Sequence, residues 1–106
     1  AGGFTACRHI AAICLAHGVQ VNPHVWGAAI AQRASLHLIA SLPLANPSLF
    51  AAEPIFEYDS SDHPFRNALI DHPVRQRDGW VELDDRPGLG IEVDRDAVQR
   101  LAAASS

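Results

Sequence analysis

The sequence has 106 residues and a mass of 11.4 kDa; 48% of the residues are hydrophobic, 19% are charged, and the formal net charge is −4. That length holds one domain at most, the apolar share excludes a disordered segment, and the acidity argues against a nucleic-acid face or an anionic-membrane partner. All eight basic residues are arginine, which excludes a phosphate-loop lysine and a Schiff base.

Methionine is absent, so the sequence is expected to be a processing product or the middle of a longer polypeptide. No apolar run is long enough to span a bilayer. The Ala-rich start lacks the basic-then-apolar order of a secretion signal. Cys7 and Cys14 stand seven apart in one predicted helix, roughly 10 Å along its axis, too far to bridge. Two unpaired thiols suit a reducing compartment, so a cytoplasmic location is expected.

The first helix is predicted from Phe4 to His17, with Phe4, Cys7, Ile10, Ala11 and Cys14 at helical spacing. Thr5 is a candidate N-cap, and Gly18 stops the helix. Val19, Gln20 and Val21 read as a short strand closed by Asn22-Pro23. Trp26 to Leu42 reads as a second helix, with Ile30, Ala34, Leu38 and Leu42 on one side and Pro43 as its stop.

Residues 43–54 contain three prolines and read as a loop. Ile55-Phe56-Glu57-Tyr58 is the second strand, a polar turn follows over residues 59–64, and residues 65–70 make a further helical turn. Residues 80–83 and 91–93 are expected to form a hairpin around Asp84-Asp85-Arg86-Pro87-Gly88-Leu89-Gly90. Asp94 caps a last helix over residues 95–104, after which the chain frays.

Helix, strand, helix, strand, with apolar strands, predicts an α/β fold whose parallel sheet is covered by helices. Two strands alone would present bare edges. The first 70 residues are therefore expected to be a slice of a larger sheet or barrel.

Two positions stand out by placement. His24 follows the carboxyl end of the first strand, and Glu57 ends the second. Parallel strands put those ends on one face, where ligands bind. An imidazole and a carboxyl group sharing one mouth make a proton-transfer pair. The plainer reading is a loop histidine and a carboxylate pointing at water, and spacing alone does not choose between the two. His9 and His17 have no ligand partners at zinc spacing. Gly88-Leu89-Gly90 lacks the dinucleotide context, and no serine sits in a nucleophile elbow. Asp59-Ser60-Ser61-Asp62 lacks the glycine and the terminal glutamate of a calcium loop.

Taken together, Gly2-Gly3-Phe4-Thr5, His17-Gly18-Val19 and Pro23-His24-Val25-Trp26-Gly27 resemble the late barrel of the enolase superfamily, mandelate racemase branch. The resemblance continues through Phe56-Glu57-Tyr58-Asp59, His63-Pro64-Phe65-Arg66, Asp78-Gly79 and the run from Arg86 to Glu92. It implies the C-terminal portion of a (β/α)7β TIM-like barrel. Residues 19–21 and 55–58 would be its seventh and eighth strands. Residues 1–72 would belong to the barrel, and residues 73–106 would form a hairpin-and-helix tail packed near the cap domain.

The activity implied is abstraction of the proton α to a carboxylate, with His24 as base and Glu57 as the acid that hydrogen-bonds the developing enolate. Within the branch the motifs look most like acid-sugar dehydratases and sugar-lactone cycloisomerases. A racemase or epimerase, or a non-catalytic barrel scaffold, is the alternative. Trp26 and Arg66 are candidate substrate-pocket residues, although each also has a structural reading, Trp26 packing its helix start and Arg66 pairing with a carboxylate. The partner implied is a small-molecule carboxylate, the full-length enzyme would be a homo-oligomer, and Mg2+ would be held by ligands upstream of this segment. The segment alone is expected to be inactive.

Overall fold

In the computed structural model, residues 1–43 and 53–104 are described. Most of the predicted proline-rich loop and the two terminal serines lie outside them. In chain order the elements are α1 (Gly3–Ala16), α2 (Ala29–Ser41), α3 (Pro64–Asn67), β1 (Gln76–Arg77), β2 (Trp80–Val81) and α4 (Arg95–Ala104).

Helix α1 falls where its periodicity predicts, but its N-cap is Gly2 rather than Thr5, which lies inside the helix. Its end follows local chemistry. Gly18 is left-handed at φ 69°. Its amide donates to the Leu15 carbonyl at 2.9 Å and the Val19 amide donates to that of Cys14 at 2.8 Å, the paired bonds of a Schellman stop. Cys7 and Cys14 are free thiols.

Helix α2 begins at Ala29, three residues later than predicted, and ends at Ser41. Leu42 is extended ahead of Pro43, as proline demands of the residue before it. Its inward face is rotated from the predicted one. Leu38 is buried as predicted, but Ala29, Gln32, Arg33 and Leu36 are buried too, whereas Ile30 is exposed. Arg33 is not on the predicted apolar side. The structure buries it, with Nη2 donating to the His72 carbonyl at 3.0 Å and facing the Asp84 carboxylate at 3.3 Å, while Nε is buried without a hydrogen bond.

The predicted parallel strands are not formed among the described residues. Residues 19–21 and 55–58 carry no ladder. Parallel pairing is stabilised by neighbours and by cover on both faces. Val19 and Ile55 have neither here, at 54% and 56% exposed.

The hairpin also lies elsewhere than predicted. It joins β1 to β2 in antiparallel register, Gln76 opposite Val81 and Arg77 opposite Trp80. Asp78 and Gly79 turn it with φ of 51° and 84°, the doubly positive pattern of a type I′ turn. Val93, expected in that hairpin, instead bridges Ile70.

The tail is laced onto the segment before it. The Asp71 amide donates to the Glu92 carbonyl at 3.1 Å, and the Asp94 amide donates to that of Leu69 at 2.9 Å. Asp94 caps α4 as predicted, accepting from the Ala97 amide at 2.9 Å. Ala97 then closes a small core with Ala29, Leu69 and Ile70. Arg86 donates to Asp71 at 2.9 Å and to Asp84 at 3.0 Å, completing an ionic clamp around this junction.

Candidate active site

His24 and Glu57, 33 positions apart in the sequence, meet in space: Nδ1 lies 2.9 Å from Oε2. Each is carried on an irregular segment, one between α1 and α2, the other before α3. Both side chains are open to solvent, at 70% and 61%. Glu57 is therefore not packed away against Phe56 and Tyr58. The two groups also touch directly, so a substrate carbon between them would have to replace this bond.

The pair lies in a recess of about 260 Å³ lined by His24, Val25, Trp26, Glu57, Tyr58 and Asp59. Val25, Tyr58 and Asp59 were not singled out from sequence. The signal was present: Glu57 and Asp59 stand two apart, a spacing that puts both on one side of an extended run.

Trp26 belongs to this recess and is 68% exposed. Its indole meets the His63 ring edge-on, with centroids 5.7 Å apart and planes at 82°. His63 in turn meets Phe65 at 5.6 Å. The Tyr58 hydroxyl donates to the Val74 carbonyl at 3.4 Å, tying the recess to the tail segment.

Arg66, a candidate substrate contact, turns into its own loop instead. Its side chain is only 3% exposed. Nη1 donates to the carbonyls of Asp59 at 3.0 Å and Ser61 at 2.7 Å, and Nη2 donates to the Asp59 carboxylate. A guanidinium so committed holds the loop beneath the recess rather than a ligand within it.

Asp59 also accepts from the Ser61 amide at 2.8 Å. The Ser61 hydrogen bonds, then Arg66, hold its carboxyl below the ordinary 3.8, against the opposing effect of desolvation. It is a fixed negative charge at neutral pH.

Among the described residues, no group of three or more His, Cys, Asp or Glu side chains is placed to hold a metal ion. The described residues do not form a Mg2+ site. Nor is any helix among them long and apolar enough to cross a membrane.

The sequence is similar to those of known proteins. D-galactarolactone cycloisomerase of Agrobacterium fabrum is 39% identical over 97 residues, covering 92% of this chain and 26% of the relative. A D-galactonate dehydratase family member of Streptomyces bingchenggensis is 34% identical over 96 residues, 89% of this chain and 21% of the relative. Muconate cycloisomerase 1 of Rhodococcus opacus is 31% identical over 107 residues, 92% of this chain and 24% of the relative. The chain thus spans about a quarter of the length of these relatives. The family model described as enolase C-terminal domain-like matches residues 1–97, and the chain belongs to that family.

Proposed function

We propose that this chain contributes the histidine–carboxyl edge of an active site that removes the proton α to a carboxylate from an acid sugar or its lactone. The observation that carries the reading is the His24–Glu57 contact at 2.9 Å in an open recess. The names of the relatives, a galactarolactone cycloisomerase and a galactonate dehydratase family member among them, support the substrate class.

An α-proton next to a carboxylate is very weakly acidic. Its removal needs a positioned base together with stabilisation of the charge that develops on the carboxylate oxygens. His24 takes the proton, and the C–H electron pair moves into the carboxylate to give an enediolate. The Glu57 carboxyl group is the partner assigned to hydrogen-bond that oxygen. Collapse of the enediolate then breaks the bond to the β-oxygen substituent: in a dehydration the hydroxyl takes back the proton held on His24 and leaves as water, and in a lactone opening the ring oxygen leaves as a carboxylate. With Nδ1 of His24 engaged by Glu57, Nε2 is the nitrogen with no hydrogen bond among the described residues.

The finer fold follows the same reading. Residues 19–21 and 55–58 are the last two strands of a (β/α)7β barrel and pair with strands in the remainder of a longer enzyme. The exposed Phe4, Ile10 and Ile13 of α1 favour this placement. A radius of gyration of 15.6 Å, against roughly 13 Å for a compact domain of this length, favours it too. Mg2+ would be held by residues of that remainder, because none of the described residues form a site for it. The segment alone would not turn over substrate.

The test is solvent exchange in ²H₂O with the intact protein that carries this sequence. Elimination leaves an enol that ketonises, so deuterium should enter the product at the former β-carbon, and His24→Asn should abolish both the product and its deuterium. Exchange that persists in the variant removes His24 as the base. Exchange without loss of the β-oxygen would point to an epimerase instead.

A further inference from the structure

Trp26 presents an unusual combination: a large apolar side chain 68% exposed at the rim of the recess, yet held in one orientation by a neighbour from a distant part of the chain. That neighbour is His63, 37 positions later, whose ring abuts the indole edge-on at 5.7 Å and 82°. Phe65 backs His63 from 5.6 Å at 61°. Edge-to-face geometry is the arrangement aromatic quadrupoles favour. Nδ1 of His63 is buried and makes no hydrogen bond, so that nitrogen does not tie the ring to its own loop.

We infer that His63 is a positioning residue, which braces the Trp26 indole as a standing wall beside His24 and Glu57, against which the C–H face of a polyhydroxy carboxylate stacks. This rests on the substrate class proposed above. An aromatic wall suits such a ligand because a sugar acid is amphipathic: its hydroxyl and carboxylate groups need polar partners, while its C–H face gains from leaving water. The carboxyl and imidazole groups supply the polar side of the recess, and the indole supplies the apolar one. A freely rotating tryptophan at the rim would have to be ordered each time substrate binds, and the His63–Phe65 backing removes that cost in advance.

The brace acts on binding rather than on proton transfer, so its loss should appear in KM and not in kcat. In the intact protein, His63→Ala should raise KM roughly 5–10-fold, the scale of one lost ring contact, with kcat within about twofold. His63→Phe, which keeps the ring and removes both nitrogens, should return KM to within about twofold of the parent value. A second measurement needs no substrate. The near-UV circular dichroism of Trp26, taken as the difference between the protein and its Trp26→Phe variant, should vanish in His63→Ala and survive in His63→Phe.

Unchanged KM in His63→Ala overturns the inference. So does a collapse of kcat in both His63 variants, which would place the imidazole in the proton chemistry. An unchanged Trp26 dichroism in His63→Ala overturns it as well. If the intact protein processes no sugar acid, the functional reading fails, and the dichroism still decides whether His63 holds Trp26.

Discussion

The recess and the tail junction use the same kinds of side chain to opposite ends. At the junction, Arg33 is buried at 6% side-chain exposure, and Asp71, Asp84 and Arg86 link one another and the backbone of Glu92. At the recess, a histidine and a carboxylate share one contact, both more than half exposed. Interlinked groups beside a core hold chain segments together, whereas an isolated exposed pair adds little stability and stays free to exchange its partner for a ligand. On the proposed reading, stability and chemistry are carried by different parts of this chain, and each should be open to perturbation without the other.

The sharpest way to break that separation is His24→Asn. It should lower kcat/KM by roughly 10²–10⁴-fold, the usual worth of a general base, while the melting temperature of the intact protein stays where it was. A fall in melting temperature matching the activity loss would mean that the pair is structural.

Leu36→Ala is the reverse experiment. Leu36 is 6% exposed on the inward face of α2, and its truncation should cost about 2–5 kcal/mol in denaturant unfolding. The activity per folded molecule should not change.

Acid probes the junction more gently. Asp71 is held down to about 2, first by the Glu92 amide, with Arg86 and His72 adding to the effect. A depressed folded-state value means its stabilisation is present above the ordinary 3.8 and is lost as pH falls toward 2. Asp84 is lowered as well, chiefly by Arg86 and further by Arg33. Stability of the α4 junction should therefore decline between about pH 4 and pH 2, and Asp71→Asn should flatten that decline in an acid titration of unfolding.

Sequence reading succeeded where the signal is local. The Gly18 stop, the end of α2 before Pro43 and the Asp94 cap each depend on a few neighbouring residues, and all three are present. The strands depended on partners far away in sequence, so Val19 and Ile55 read as strand and carry no ladder. The hairpin turns at Asp78-Gly79 and not at the longer Asp84–Gly90 stretch, because two adjacent positive φ angles make the tighter turn. The pairing of Arg66 with a carboxylate was one of its two sequence readings and is present, whereas the burial of Arg33 was not legible. A guanidinium can be buried where packing brings acceptors to it, as it brings the His72 carbonyl and the Asp84 carboxylate to Arg33. The juxtaposition of His24 and Glu57 was legible because both follow short apolar runs, even though no ladder joins those runs here.

The most direct measurement of the central claim is a double-mutant cycle on kcat/KM in the intact protein, with His24→Asn, Glu57→Gln and both together. If the imidazole and the carboxyl group act as a unit on one carbon acid, the double variant should lose about as much as the worse single variant, because groups acting together are strongly non-additive. Losses that multiply across the cycle would contradict the account and leave the two side chains as independent residues that happen to touch.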